Sequence, residues 1–185
     1  MVGKFNLALL FHNDVAESLV HYSKYINEQL PSDFTLSRDS LPHLTILQFE
    51  LECEHLDDYW KRLGVSCVNS IMVDFSGLTF LPAKDGSMWI EAAILRNSSL
   101  SELHKIAVSQ IDTGLITSNT LDSYRPHVSF AHSIHGSQIE HMVVDYRTVR
   151  QKAVECFLAV GESGPNYQFT RATRCERTVG MFGTL

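Results

Sequence analysis

The chain has 185 residues, of which 44% are hydrophobic and 19% charged: enough apolar material for one sizeable core, and too balanced for a disordered or fibrous protein. Its formal net charge of −6 argues against a protein that grips long nucleic acid, because phosphate neutralisation by a basic face supplies most of that affinity. A small substrate, or a strand end held in a local pocket, fits better. No apolar run reaches the roughly 18 residues of a membrane-spanning helix, and Cys53, Cys67, Cys156 and Cys175 form no C-x-x-C pair. One domain spanning residues 1–185, monomeric, cytoplasmic, with reduced thiols and no membrane contact, is the expectation.

Phe5 to Phe11 is a continuous apolar run, read as a central strand covered on both faces. The stretch before His12 has one basic residue and no small-residue cleavage site, which disfavours a signal peptide. Asn13 or Asp14 then caps an amphipathic helix from Val15 to Leu30 that Pro31 stops. A polar connector delivers the chain to a strand from His43 to Phe49, followed by a short helix from Leu56 to Leu63 ended by Gly64. Ser70 to Phe80 reads as one strand with a break at Ser76-Gly77. Lys84-Asp85-Gly86-Ser87 turns it into Met88 to Leu95, since Asp-Gly tolerates positive φ. Ser98 or Ser99 caps a helix from Leu100 to Asp112, and a polar stretch leads to a strand at His127. Ser137 to Val144 suggests a short helix. Ala153 to Val160, a turn over Gly161 to Asn166, and Tyr167 to Thr173 close the chain as a hairpin. This order of strands, helices and hairpins predicts an α+β fold with mostly antiparallel sheets.

Two of these strands share a pattern. Pro42-His43-Leu44-Thr45-Ile46 and Pro126-His127-Val128-Ser129-Phe130 each read proline, histidine, apolar, hydroxyl, apolar. Proline suits a strand's first residue, and the alternation places His43 with Thr45, and His127 with Ser129, on one face, roughly 6–7 Å apart along each backbone. His-x-Ser/Thr also occurs at His21 and His135, but the first lies in a helical pattern and the second in a glycine-containing turn. Neither has the proline or the strand context. Each half of the chain also puts a helix and a polar connector before its histidine strand. Brought together, the two strands offer two imidazoles and two hydroxyls to one cleft.

Pro42-His43-Leu44-Thr45 and Arg125-Pro126-His127-Val128-Ser129 resemble the paired motifs of the two-histidine (2H) phosphoesterase superfamily, which includes LigT-like 2′-5′ RNA ligases, cyclic phosphodiesterases and RNA-end-trimming enzymes. The order of elements and the tail from Ala159 to Tyr167 resemble that family over most of the chain; Ser129 stands where threonine is usual. The resemblance implies a bilobal fold of two antiparallel sheets related by an approximate twofold, with helices outside and a central cleft. It also implies catalysis by His43 and His127 as base and acid, in an order left open, with Thr45 and Ser129 stabilising phosphoryl charge.

Four further residues flank the inferred cleft as candidates for substrate binding: Tyr124, Arg125, Tyr167 and His12. Arg125 suits a phosphate, and a tyrosine suits a base. No cofactor and no metal is expected, and the loose group His132, His135 and His141 reads as a surface turn. The expected reaction is metal-independent hydrolysis of 2′,3′-cyclic or 2′-5′-linked phosphodiesters on a nucleotide or RNA end. The alternatives are 2′-5′ RNA ligation and a nucleotide-binding module without turnover.

Overall fold

The computed structural model describes residues 1–64, 71–83, 85–120, 123–134, 136–164 and 168–175. It is α+β and built on two antiparallel sheets, as the pattern of elements predicts. The larger sheet runs β3 (Ile71–Val73), β8 (Val154–Ser163), β1 (Val2–Phe11), β2 (His43–Glu52), β6 (Ile116–Ser118), with β9 (Phe169–Cys175) also paired to β8. The smaller runs β4 (Phe75–Pro82), β5 (Met88–Ile94), β7 (His127–Ile134). Each motif strand therefore lies antiparallel to the strand that precedes it by one helix: β2 against β1, and β7 against β5.

The helices join the halves rather than standing on their own. Helix α1 (Asn13–Gln29) follows β1 yet packs on β7, where Ser23 Oγ donates to the Phe130 carbonyl at 2.6 Å and Tyr22 meets the Phe130 ring edge-on. Helix α3 (Ser98–Ser109) follows β5 yet packs on β2. One core results, in which Leu19 and Ile26 of α1, Leu103 and Ala107 of α3, and Leu9, Leu44, Ile90 and Val128 from both sheets form one cluster. Burial of this kind contributes about 25 cal/mol per Å² of apolar surface. A smaller cluster of Ala8, Leu10, Leu41, Phe157, Ala159 and Phe169 covers the opposite face of the large sheet.

Several boundaries differ from expectation for physical reasons. Helix α1 starts two residues earlier, with His12 at the cap and no side-chain bond there, so neither Asn13 nor Asp14 caps it. Asn97 caps α3, its Oδ1 accepting from Leu100 N at 2.9 Å, which pre-empts Ser98 and Ser99; the helix ends at Ser109, and Asp112 instead holds a following 3-10 turn. The single strand expected over Ser70 to Phe80 is two strands in two sheets, divided at Asp74, whose Oδ1 accepts from Ala153 N while its carbonyl accepts from Leu95 N. The predicted break at Ser76-Gly77 is a bulge opposite Ile94 and Ala93. Only one turn of the helix expected from Ser137 forms, as α4 (Gly136–Ile139), and α2 spans Leu56–Arg62.

The closing hairpin carries a position that only glycine satisfies. Strand β8 continues past Val160 to Ser163, so Gly161 is within the ladder and not in a turn. A Cβ on Gly161 would stand 2.0 Å from the Arg171 carbonyl oxygen and 2.7 Å from the Phe169 ring. Its absence lets β9 close on β8 and seats Phe169, wholly buried, beside the first motif histidine.

Candidate active site

The two motif strands are aimed by the same device. Strict alternation from His43 would turn Leu47 to the same side as His43 and Thr45. The register with β1 slips instead: Leu7 pairs with Leu47 but Ala8 with Thr45, leaving Ile46 as the extra residue of a bulge. Ile46 and Leu47 consequently both enter the core, and Gln48 joins His43 and Thr45 on the cleft wall. Strand β7 does the same at the matching place. Ile90 pairs with Ala131 and Glu91 with Ser129, leaving Phe130 unpaired. Phe130 and Ala131 are both core residues, and His132 returns to the side of His127 and Ser129.

The imidazoles are anchored alike as well. His43 Nδ1 lies 2.7 Å from the Leu41 carbonyl and His127 Nδ1 lies 2.7 Å from the Arg125 carbonyl, each two residues back along the chain. A carbonyl oxygen only accepts, so both Nδ1 atoms carry the hydrogen and both Nε2 atoms are the working nitrogens. His43, Thr45, His127 and Ser129 line one cavity of 270 Å³, with Phe34, Gln48, Trp89, Glu91, Ser118, Asn119, Ser123 and Arg125 among its other walls. That is near the lower end of the roughly 300–1,000 Å³ of ligand pockets, a size for a small nucleotide or a chain end.

The surroundings of the two rings differ. His43 has the ring of Phe169 at 5.6 Å and an apolar floor of Ala8 and Leu10. Burial holds its pKa at about 4; the Leu41 carbonyl opposes that shift and the His127 charge adds to it. His127 instead faces Glu91, with Nε2 3.3 Å from Oε1. The Glu91 side chain is 3% exposed, and its Oε2 lies 2.6 Å from Arg125 Nη2, a close ion pair rather than an aligned hydrogen bond. Glu91 and Arg125 are the fixed charges among the described residues of the cavity wall.

Of the flanking residues named from sequence, Arg125 reaches the cleft, though its guanidinium is engaged by Glu91. Tyr124 does not. It is 4% exposed and stacks on the buried His104 ring of α3 at 4.1 Å, in the segment before β7. His12 is also outside the cavity wall: it lies past the end of β1, paired with Glu155 at 3.3 Å and edge-on to Phe157. Tyr167 lies outside the described residues, as do Cys67 and His135. His132 is not part of a surface turn. It sits on β7, bonded to Asp33 at 2.9 Å and packed on the Trp89 ring at 4.1 Å.

Sequence reading missed Glu91, Trp89, Gln48 and Asn119. Glu91 left a signal: it is the lone charge in Trp89-Ile90-Glu91-Ala92-Ala93-Ile94, and a buried carboxylate in an apolar strand marks a site or a pairing. Two other features lie apart from this cleft. A larger, 780 Å³ groove between α1 and residues 143–148 is lined by Asp14, Glu17, Asp145 and Arg147, the last paired with Asp145 at 2.8 Å. Among the described residues, Glu52, Glu54 and His55 could group around a metal ion, but they are exposed at the end of β2 remote from His43.

Two antiparallel sheets, each bringing a histidine and a hydroxyl to one cleft, make up a LigT-like fold. Escherichia coli LigT in its apo form superposes with a TM-score of 0.61 at 13% identity over 94% of each chain. LigT complexed with 3′-AMP gives 0.59 at 14% identity, over 94% of this chain and 95% of that one. Kluyveromyces marxianus Usb1 gives 0.51 at 12% identity, over 87% and 93%. No protein-family model and no curated protein matches the sequence. Among the described residues no helix is long and apolar enough to cross a membrane.

Proposed function

We propose that the protein is a phosphodiesterase that opens 2′,3′-cyclic phosphates, or cleaves related 2′-5′-linked phosphodiesters, on a nucleotide or RNA end by metal-independent acid–base catalysis from His43 and His127. The observation that carries this reading is the matched pair of Nδ1 anchors, which leaves two Nε2 atoms facing one small cavity. Hydrolysis needs one proton taken from water and one given to the departing sugar oxygen, and imidazole suits both tasks near neutral pH. The 3′-AMP complex of LigT agrees in substrate class.

The roles follow from the surroundings. His43, held neutral by burial, takes the proton from water at Nε2 as the P–O bond to that water forms. His127 gives its Nε2 proton to the sugar oxygen as the second P–O bond breaks. Thr45 and Ser129 donate to the non-bridging oxygens as charge grows on them. Phe34 and Trp89, edge-to-face at 5.6 Å, form an aromatic wall against which a base can rest.

The test is hydrolysis of the four 2′,3′-cyclic nucleoside monophosphates and a 2′-5′ dinucleotide in EDTA, alongside His43→Ala and His127→Ala. Turnover by the wild type that both variants lose supports the proposal. Tight 3′-AMP binding with no turnover of any of these would instead make the cleft a nucleotide-binding module. Joining of 2′,3′-cyclic and 5′-hydroxyl ends would make it a ligase.

A further inference from the structure

The two histidines are equivalent by register and anchor, so something must decide which donates and which accepts. Opposite Thr45 the neighbouring strand carries Ala8; opposite Ser129 it carries Glu91. Taking the two-histidine reading above as its basis, we infer that Glu91 is a positioning residue that keeps the proton on Nε2 of His127 and so makes His127 the acid and His43 the base.

The argument is one of lone pairs. Nδ1 of His127 is committed to the Arg125 carbonyl, so a neutral His127 ring presents a bare lone pair at Nε2. That lone pair would stand 3.3 Å from an oxygen of a carboxylate that is itself only 3% exposed, an electrostatic conflict. A proton at Nε2 turns the conflict into a charge-assisted hydrogen bond. The groups facing His127 are Glu91 from β5, Arg125 from the segment before β7, and His43 from β2. With His127 protonated, Arg125 and His127 against Glu91 leave a net positive charge toward an incoming phosphate. With His127 neutral that charge vanishes.

Among the described residues no carboxylate stands against His43 across the cleft. His43 has Phe169 against its ring and Ala8 and Leu10 beneath, with the His127 charge opposing a second proton. In turnover the Nε2 proton of His127 leaves with the sugar oxygen, and His43 takes one from water. Proton return between the rings through solvent then restores the starting state, with Glu91 and Arg125 still paired.

The test has one readout in the free protein and one in turnover. Imidazole 15N NMR of the wild type near pH 7 should give His127 with both nitrogens protonated and His43 with a bare Nε2. Glu91→Gln should strip Nε2 of His127 at that pH, leaving Nδ1 as its one protonated nitrogen. On cyclic nucleotides the same variant should bring the alkaline limb of kcat/KM to lower pH and cost roughly 10–100-fold at pH 7.5 with KM little altered. Glu91→Asp, which keeps the charge, should restore most of both, and with the wild-type spectrum it carries the test if Glu91→Gln does not fold. Identical His127 titrations in wild type and Glu91→Gln overturn the inference. So does a Glu91→Gln enzyme that binds inorganic phosphate more tightly with turnover undiminished, which would make the carboxylate a plug. An intact NMR difference without turnover of any phosphodiester leaves the inference on Glu91 standing and removes the hydrolase reading alone.

Discussion

Strands β2 and β7 solve one problem twice and then diverge. Both begin after a proline, tie Nδ1 of the histidine to the carbonyl two residues back, and bulge immediately after the hydroxyl residue. These shared parts are backbone geometry, and they aim side chains. The divergent parts are the neighbours: Ala8, Leu10 and Phe169 around His43, Glu91 and Arg125 around His127. On the proposed reading a repeated scaffold supplies two interchangeable imidazoles, and the residues beside them make the pair directional. Acid–base catalysis by two identical groups needs such a difference, because one must start protonated and the other bare.

The largest effect should come from deleting either ring. His43→Ala and His127→Ala should each lower kcat by about 10²–10⁴-fold on a cyclic nucleotide. The double variant should be little worse than either single one, because the two groups act as a unit. Multiplicative losses would mean that the strands work independently. Next in size are the hydroxyls: Thr45→Ala and Ser129→Ala should each cost roughly 10–100-fold in kcat, less than a fully preorganised oxyanion donor, while Ser129→Thr should stay near wild type. A Ser129→Ala enzyme at wild-type rate would remove the second hydroxyl from the proposed site.

The third prediction separates scaffold from chemistry. Gly161→Ala puts a Cβ against the Arg171 carbonyl and the Phe169 ring, so β9 must shift. Overpacking of this kind should cost about 1–3 kcal/mol in denaturant unfolding. Because Phe169 packs on His43 and not on His127, the variant should move the acidic limb of the pH–rate profile, which reports the base, and leave the alkaline limb in place. Movement of both limbs together would mean that the two halves are not electrostatically separate.

The sequence spells out the strands and the motif pair because alternation and proline placement are local. The bulges were half legible: the double apolar pairs Ile46-Leu47 and Phe130-Ala131 break the alternation that precedes them, and a bulge keeps both members of each pair inside. Tyr124 packs into the core on His104 of α3, a long-range contact that its nearness to Arg125 in sequence does not reveal. The sheet switch at Asp74 was not legible, since Ile71 to Val73 and the start of β4 are equally apolar and only long-range pairing with β8 or β5 tells them apart. Nor was the crossing of α1 onto β7, which depends on the Ser23 and Phe130 contact 107 residues apart. Glu91 carried a compositional signal, but its meaning required knowing that β5 lies beside β7.

The smallest predicted effect isolates the burial of His43. Its folded pKa of about 4 lies below the ordinary value of 6.5, so the unfolded chain binds the proton more readily than the native state does. The stability this contributes is fully present above pH 6.5 and is lost as pH falls through about 4. The partial exposure of the ring keeps the contribution on the order of 1–2 kcal/mol. Urea unfolding of the wild type and His43→Gln at pH 7, 5.5 and 4.5 should therefore converge toward acid, because the amide has no proton to gain. If the gap between the two proteins stays constant across that range, burial is not what keeps His43 neutral. The proton ordering of the pair would then rest on Glu91 alone, and the contrast between β2 and β7 would reduce to one carboxylate.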